Sequence, residues 1–193
     1  MISIYFSQVL SRNEFLTKSL QSYLLQSQRS LLAEEWSFQK KSSGKLILIP
    51  PAGHDQGISV SLSHSEKYIA VAFSEFTNLG LDLQVSRSTS ENLDRRIRSA
   101  NDLKLPSLDL WCIKEATQKV LGLGFQLAMK DIEVRSGGSI RLHTQAAYDL
   151  DFVRPELNLF WKNIDLFPGL HSAIVVTEAS ALDQIAFYQI DPD

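Results

Sequence analysis

The chain has 193 residues, 44% of them apolar and 21% charged, which suits a globular protein with one core or two small lobes and excludes a disordered chain. A formal net charge of −3 excludes a general nucleic-acid binder, whose surface would be basic, so any basic docking patch must be local. The single cysteine, Cys112, cannot form an intrachain disulfide and has no zinc-type Cys/His spacing around it, so a reducing cytoplasm is the expected location.

Met1 to Val9 lacks the basic start and long apolar core of a secretory signal and reads as a first strand. Asn13 to Leu32 places Phe15, Leu16, Leu20, Tyr23, Leu24, Leu31 and Leu32 at mostly three- and four-residue intervals, an amphipathic helix with Asn13 as its expected cap. Trp36 to Phe38 alternates like a strand, Lys40 to Lys45 is a basic turn, and Leu46 to Ile49 is a second short strand ended by Pro50 and Pro51. Ile58 to Leu62 alternates and Tyr68 to Phe73 is a compact apolar run, so the two read as neighbouring strands joined across His64, Ser65 and Glu66. Neither apolar run, nor Leu46 to Pro51, approaches the roughly 20 residues needed to cross a bilayer, so no membrane span is expected.

A further strand, Leu79 to Val85, carries Asp82 and Gln84 on one face and Leu81, Leu83 and Val85 on the other. From Ser86 to Pro106 the composition turns polar, with a helix from Ser90 to about Ser99 bearing Arg95, Arg96 and Arg98. This stretch is the expected lobe boundary. Ser107 is the expected cap of a second clear helix, Leu108 to Leu121, with Asp109 at its positive end and Gly122 as its stop. Strands are expected at Ile132 to Arg135, Ile140 to Thr144, Asn158 to Lys162, Ser172 to Thr177 and Gln184 to Ile190. Each half offers a helix and several strands, an α+β pattern.

The chemistry concentrates in two segments. Gly80-Leu81-Asp82-Leu83 closes an apolar run, and Trp111-x-x-Lys114-Glu115-Ala116-x-x-Lys119 follows about thirty residues later. Asp82 and Glu115 suit a hard cation such as magnesium, which takes one or two carboxylates and fills its octahedron with water and phosphate oxygens. Lys119 stands one helical turn beyond Glu115 on the same stripe, the placement for holding a phosphate. Taken alone, Glu115 and Lys119 also read as a surface ion pair stabilising the helix by about 0.3–0.5 kcal/mol. A phosphate-cradling P-loop and a Gly-x-Ser-x-Gly nucleophile elbow are both absent.

These two strings, with Ser61-Leu62-Ser63-His64-Ser65 upstream, resemble the 4′-phosphopantetheinyl transferases, in particular the single-chain, two-lobed, surfactin-synthetase-activating type with holo-[acyl-carrier-protein] synthase activity. The resemblance runs from about Lys41 to Val176. It implies a 4′-phosphopantetheinyl transferase-like fold of two similar α+β lobes forming a pseudo-dimer, with lobes at 1–86 and 104–193 and a connecting polar segment at 87–103. It implies transfer of 4′-phosphopantetheine from coenzyme A to a serine of an acyl or peptidyl carrier protein, releasing adenosine 3′,5′-bisphosphate. In that scheme Asp82 and Glu115, with Gln84 as third member, hold Mg2+, while Glu115 takes the serine proton and Lys119 holds the phosphate. Coenzyme A is bound by Lys45, Ser63, His64 and Lys114, with Arg12 and Lys18 as looser phosphate contacts. The chain departs from the family at Gln84, where many members place a third acid, at Cys112, where a serine or threonine is common, and in a short N-terminal third. These departures keep two other readings open, a non-catalytic coenzyme A or carrier-binding module of the same fold and a magnesium-dependent phosphohydrolase. A cytoplasmic monomer acting on carrier proteins, with no nucleic acid and no membrane, completes the expectation.

Overall fold

The structure, a computed structural model, describes residues 1–8, 11–27, 35–52, 57–89, 91–143 and 158–191. In chain order the elements are β1 (Ile2–Gln8), α1 (Arg12–Gln26), β2 (Ser37–Lys40), β3 (Leu46–Ile49), β4 (Ser59–Ser65), β5 (Tyr68–Ser74), β6 (Leu79–Val85), α2 (Glu91–Ile97), α3 (Ser107–Leu121), β7 (Ile132–Val134), β8 (Ser139–Leu142), β9 (Leu159–Asn163), β10 (Leu170–Val176) and β11 (Ile185–Gln189). This is the mixed α+β class expected from the sequence. The parts of the expected elements at Val9, Leu31, Leu32, Ser90 and Thr144 lie outside the described residues.

One sheet has the order β11-β1-β5-β4, a second has β6-β10-β9-β8-β7, and β2-β3 forms a separate ribbon. A common plan runs through the two halves. In the run β1–β5 and again in β6–β10, the fifth strand lies antiparallel beside the first, β5 against β1 and β10 against β6, and the fourth strand pairs on its far side. The division at residue 86 does not follow the sheets. β6 hydrogen-bonds β10 in the second sheet, and β11, from the 104–193 segment, lies parallel to β1 in the first.

Strand alternation builds the layers. Ile2, Ile4, Ala70 and Ala72 of the first sheet share one core with Leu79, Leu81, Leu83, Ile174 and Val176 of the second. The opposite face of the first sheet carries Tyr5, Val71 and Phe73 against Phe15, Leu20 and Leu24 of α1. The opposite face of the second carries Ala173 and Val175 against Leu110, Ile113, Ala116 and Val120 of α3. Successive residues of a strand point to opposite faces, so one strand serves two cores.

The sheets meet along β4 and β6 through side chains. The hydroxyls of Ser59, Ser61, Ser63 and Ser65 accept hydrogen bonds from the backbone N–H groups of Leu79, Leu81, Leu83 and Val85 at 2.9–3.2 Å. Serine at every second position of β4 thus satisfies the amides that β6 would otherwise bury unpaired.

Helix ends follow local chemistry. Ser11, not Asn13, caps α1 by accepting from the Glu14 N–H at 3.4 Å, two residues closer to the strand than the apolar period suggested. Pro106 takes the N-cap position of α3 without a side-chain cap, and Ser107 instead donates its hydroxyl to Asp94 on α2 at 2.8 Å. Gly122 ends α3 in the left-handed region at φ 70°, as its sequence position demanded. Gly80 lets α3 settle onto β6, since a Cβ there would lie 2.0 Å from the Ala116 carbonyl oxygen.

Candidate active site at the junction of the two sheets

The serine ladder delivers Ser63 to Asp82. Ser63 accepts from the Leu83 N–H at 3.2 Å and donates its hydroxyl to Asp82 Oδ1 at 2.8 Å. Asp82 points from β6 toward α3, where Lys119 donates to the same Oδ1 at 2.7 Å and to the Leu81 carbonyl at 2.9 Å. Gln84, two residues along the same face, donates its amide to Asp82 Oδ2 at 3.3 Å. The expected facing of Asp82 and Gln84 is therefore observed, but α3 covers Asp82 to 2% exposure. Lys119 pairs with Asp82 across the elements, and among the described residues this is the ion pair it makes, in place of the expected one with Glu115 on the helix.

Glu115 projects into the same cleft, half-buried. Burial pushes its carboxyl above the usual carboxylate range, the Asp82 charge pushes the same way, and Lys119 opposes both. Two carboxylates thus face a single ammonium. Such a pair is under-compensated, and a divalent cation, which attracts both carboxylates and needs few protein ligands, fits that donor set. Among the described residues, no cluster of three or more His, Cys, Asp or Glu side chains is gathered for a metal, so Asp82 and Glu115 are the acidic ligands the site offers.

The cleft has a volume of about 310 Å3 and is lined by Arg12, Lys40, Leu62, Ser63, His64, Asp82, Gln84, Glu115 and Lys119. Its acidic floor faces a basic rim of Arg12 from the start of α1, Lys40 from the end of β2 and the exposed His64 from β4. That polarity suits a cation-complexed polyphosphate with one further phosphate at the rim. Lys40 was expected only as part of a basic turn and not as a site residue, though the Lys40-Lys41 pair was its available signal.

Three expected contacts lie elsewhere. Lys114 is fully buried, and its ammonium donates to the Ile97 carbonyl at 2.7 Å, Asp102 Oδ2 at 2.6 Å and the Met129 carbonyl at 3.0 Å. Its position on the stripe of Leu110, Ile113 and Thr117 turns it into the core, so a role at coenzyme A is corrected to a structural one. Lys45 donates to the Val120 carbonyl at the end of α3 at 2.9 Å and lines two neighbouring cavities of about 540 and 730 Å3, not the acidic cleft. Lys18 pairs with Glu14 at 3.4 Å on α1.

The basic segment also divides. Arg98 is drawn onto Asp94 at 2.8 Å and onto the Leu105 carbonyl at 3.0 Å, which leaves Arg95 and Arg96 as its exposed cations.

Beyond Gln84 the same face carries a group no motif announced. His171 on β10 lies opposite Gln84, with its Nδ1 at 2.5 Å from Asp109 Oδ1 of α3 and its Nε2 at 3.2 Å from Ser86 Oγ. The three residues are too far apart in sequence to form a pattern. Among the described residues no helix is long and apolar enough to cross a membrane. No family model matches this chain, and no curated protein matches it significantly.

Proposed function

We propose that the protein is a 4′-phosphopantetheinyl transferase with the two-lobed fold of that family, moving the 4′-phosphopantetheine group of coenzyme A onto a serine of an acyl or peptidyl carrier protein. The observation that carries this reading is the convergence of Ser63, His64, Asp82, Glu115 and Lys119, from the three resembling segments, on one cleft at the sheet junction. The shared strand plan of the two halves supports the pseudo-dimer.

Asp82 and Glu115 would hold magnesium, and Gln84 orients Asp82. When bound there, magnesium supplies the positive charge that a breaking phosphoanhydride requires. Lys119 has three N–H donors and uses two on Asp82 and Leu81, so one remains for a phosphate oxygen. His64, Arg12 and Lys40 bind the further phosphate of coenzyme A at the rim as hydrogen-bond donors and cations. The family resemblance also gives Glu115 the acceptor's proton, yet a carboxylate that neutralises a divalent cation keeps little basicity.

The test is intact-mass measurement of an apo carrier protein incubated with coenzyme A, magnesium and this protein. Addition of one phosphopantetheine with release of adenosine 3′,5′-bisphosphate is expected. Binding without mass change would favour a carrier-binding module, and phosphate release without carrier modification a phosphohydrolase.

A further inference from the structure

The Ser86, His171 and Asp109 group adjoins the acidic cleft through Gln84, which lines the cleft and is the register partner of His171. Asp82 and Gln84 alternate along one face of β6, Ser86 directly follows its last residue, and His171 of β10 is the register partner of Gln84. His171 is therefore diagonal to Asp82, a relation that sets Cβ atoms about 7–8 Å apart. Asp109 stands on α3 six residues before Glu115, and Cys112 between them is buried and donates to the His171 carbonyl at 3.3 Å. His171 and Asp109 keep 26% and 20% side-chain exposure, so this group is reachable from solvent where Asp82 is closed.

The hydrogen bonds define the chemistry. An ionised carboxylate only accepts, so His171 Nδ1 carries the proton toward Asp109, and Nε2 presents its lone pair to Ser86 Oγ. A seryl hydroxyl thus already occupies the position from which the imidazole draws a proton. Basic residues stand alongside, since Ser107 at the start of α3 is bonded to Asp94 of α2, the helix whose Arg95 and Arg96 are exposed. An acidic acceptor protein held by α2 would present its hydroxyl to this group.

We propose that His171, oriented by Asp109, is the base that takes the proton of the acceptor's seryl hydroxyl. This rests on the transferase reading. The acceptor hydroxyl displaces Ser86 from Nε2. Its oxygen forms a bond to the phosphorus that carries the pantetheine, its proton passes to Nε2, and the phosphoanhydride bond breaks with its electron pair leaving on adenosine 3′,5′-bisphosphate. Asp109 balances the imidazolium until solvent removes the proton. A base sits about 3 Å from the nucleophile and the nucleophile about 3–3.5 Å from the attacked atom, so a base on the neighbouring strand, diagonal to the carboxylate that would hold the cation, is in range. Glu115 is then free to serve the cation alone. Asp109 is a positioning residue.

The experiment measures carrier modification by the full-length protein with coenzyme A and magnesium, comparing wild type, His171→Gly, His171→Gln and Asp109→Asn. His171→Gly is expected to lower turnover by about 10²–10⁴-fold with the Michaelis constant for coenzyme A unchanged, and added imidazole to restore at least about tenfold. His171→Gln, whose amide can still meet Asp109 but cannot take the proton, should lose as much and gain nothing from imidazole. It also stands in if the glycine variant does not fold. Asp109→Asn should lose less. Turnover within about threefold of wild type in His171→Gln, or a loss in a folded His171→Gly that imidazole does not restore, overturns the assignment and leaves the transferase reading intact. A wild-type protein that modifies no carrier removes that reading, and this inference with it.

Discussion

Helix α3 carries two lysine–aspartate pairs five residues apart, and they behave as opposites. Lys114 and Asp102 are both sealed at 0% side-chain exposure. All three ammonium donors are used, and Asp102 also accepts from the Ser99 N–H at 2.6 Å and the Val134 N–H at 2.8 Å. Burial pulls the Lys114 ammonium below its usual value while Asp102 pushes it back. Lys119 and Asp82 instead join at a cleft, with Lys119 at 29% exposure and Glu115 beside them. The first network is closed and holds α3 to the connecting segment and β7. The second has a donor to spare and one carboxylate too many, a donor set that a divalent cation and a phosphate would fit.

The contrast breaks first at Lys114. Lys114→Ala leaves Asp102 charged and buried, so it should destabilise the fold by about 3–5 kcal/mol in denaturant titration. The folded fraction should keep its Michaelis constant for coenzyme A. A raised constant in a stable variant would return Lys114 to the ligand.

Glu115→Gln should do the reverse. It removes a proposed cation ligand, so transfer should fall more than about 100-fold, beyond the usual cost of losing a residue behind a ligand. Without metal it should also stabilise the fold near neutral pH. The sign follows from the raised carboxyl: through the window between the ordinary carboxylate value and the raised one, the native state holds a proton that the unfolded state has released. Wild-type stability therefore falls as pH rises through that window, and the glutamine variant lacks this decline. Melting curves over pH about 4 to 8 in chelator measure it.

A smaller effect is expected at the seam. Ser61→Ala deprives the buried Leu81 N–H of its acceptor and should cost about 1–3 kcal/mol of stability. Smallest of all is charge reversal on α2. Arg95→Glu with Arg96→Glu should weaken carrier affinity and flatten its salt dependence without touching coenzyme A binding. An equal salt response in both proteins would place carrier docking elsewhere.

Most elements were legible because their signals are local. The alternation of Leu79 to Val85 fixed which face holds Asp82, and Gly122 marked the end of α3. The spacing of Glu115 and Lys119 placed both at the cleft. What stayed hidden depends on partners remote in sequence. The serines of β4 read as a polar alternation, and only the packing of β6, 20 residues on, turns them into a seam. Lys114 lay on an apolar stripe, yet its burial needed Asp102 folded over it. His171 and Asp109 are 62 residues apart, and no spacing rule joins them.

The central claim is that Asp82 and Glu115 form an under-compensated pair that takes up a divalent cation with a pyrophosphate. Calorimetric titration of magnesium into the protein saturated with coenzyme A tests it most directly. One bound ion is expected for the wild type, with loss of that binding in Glu115→Gln and in Asp82→Ala and its retention in Arg95→Glu with Arg96→Glu. Undiminished magnesium binding in both acidic-site variants, or none in the wild type, would contradict it.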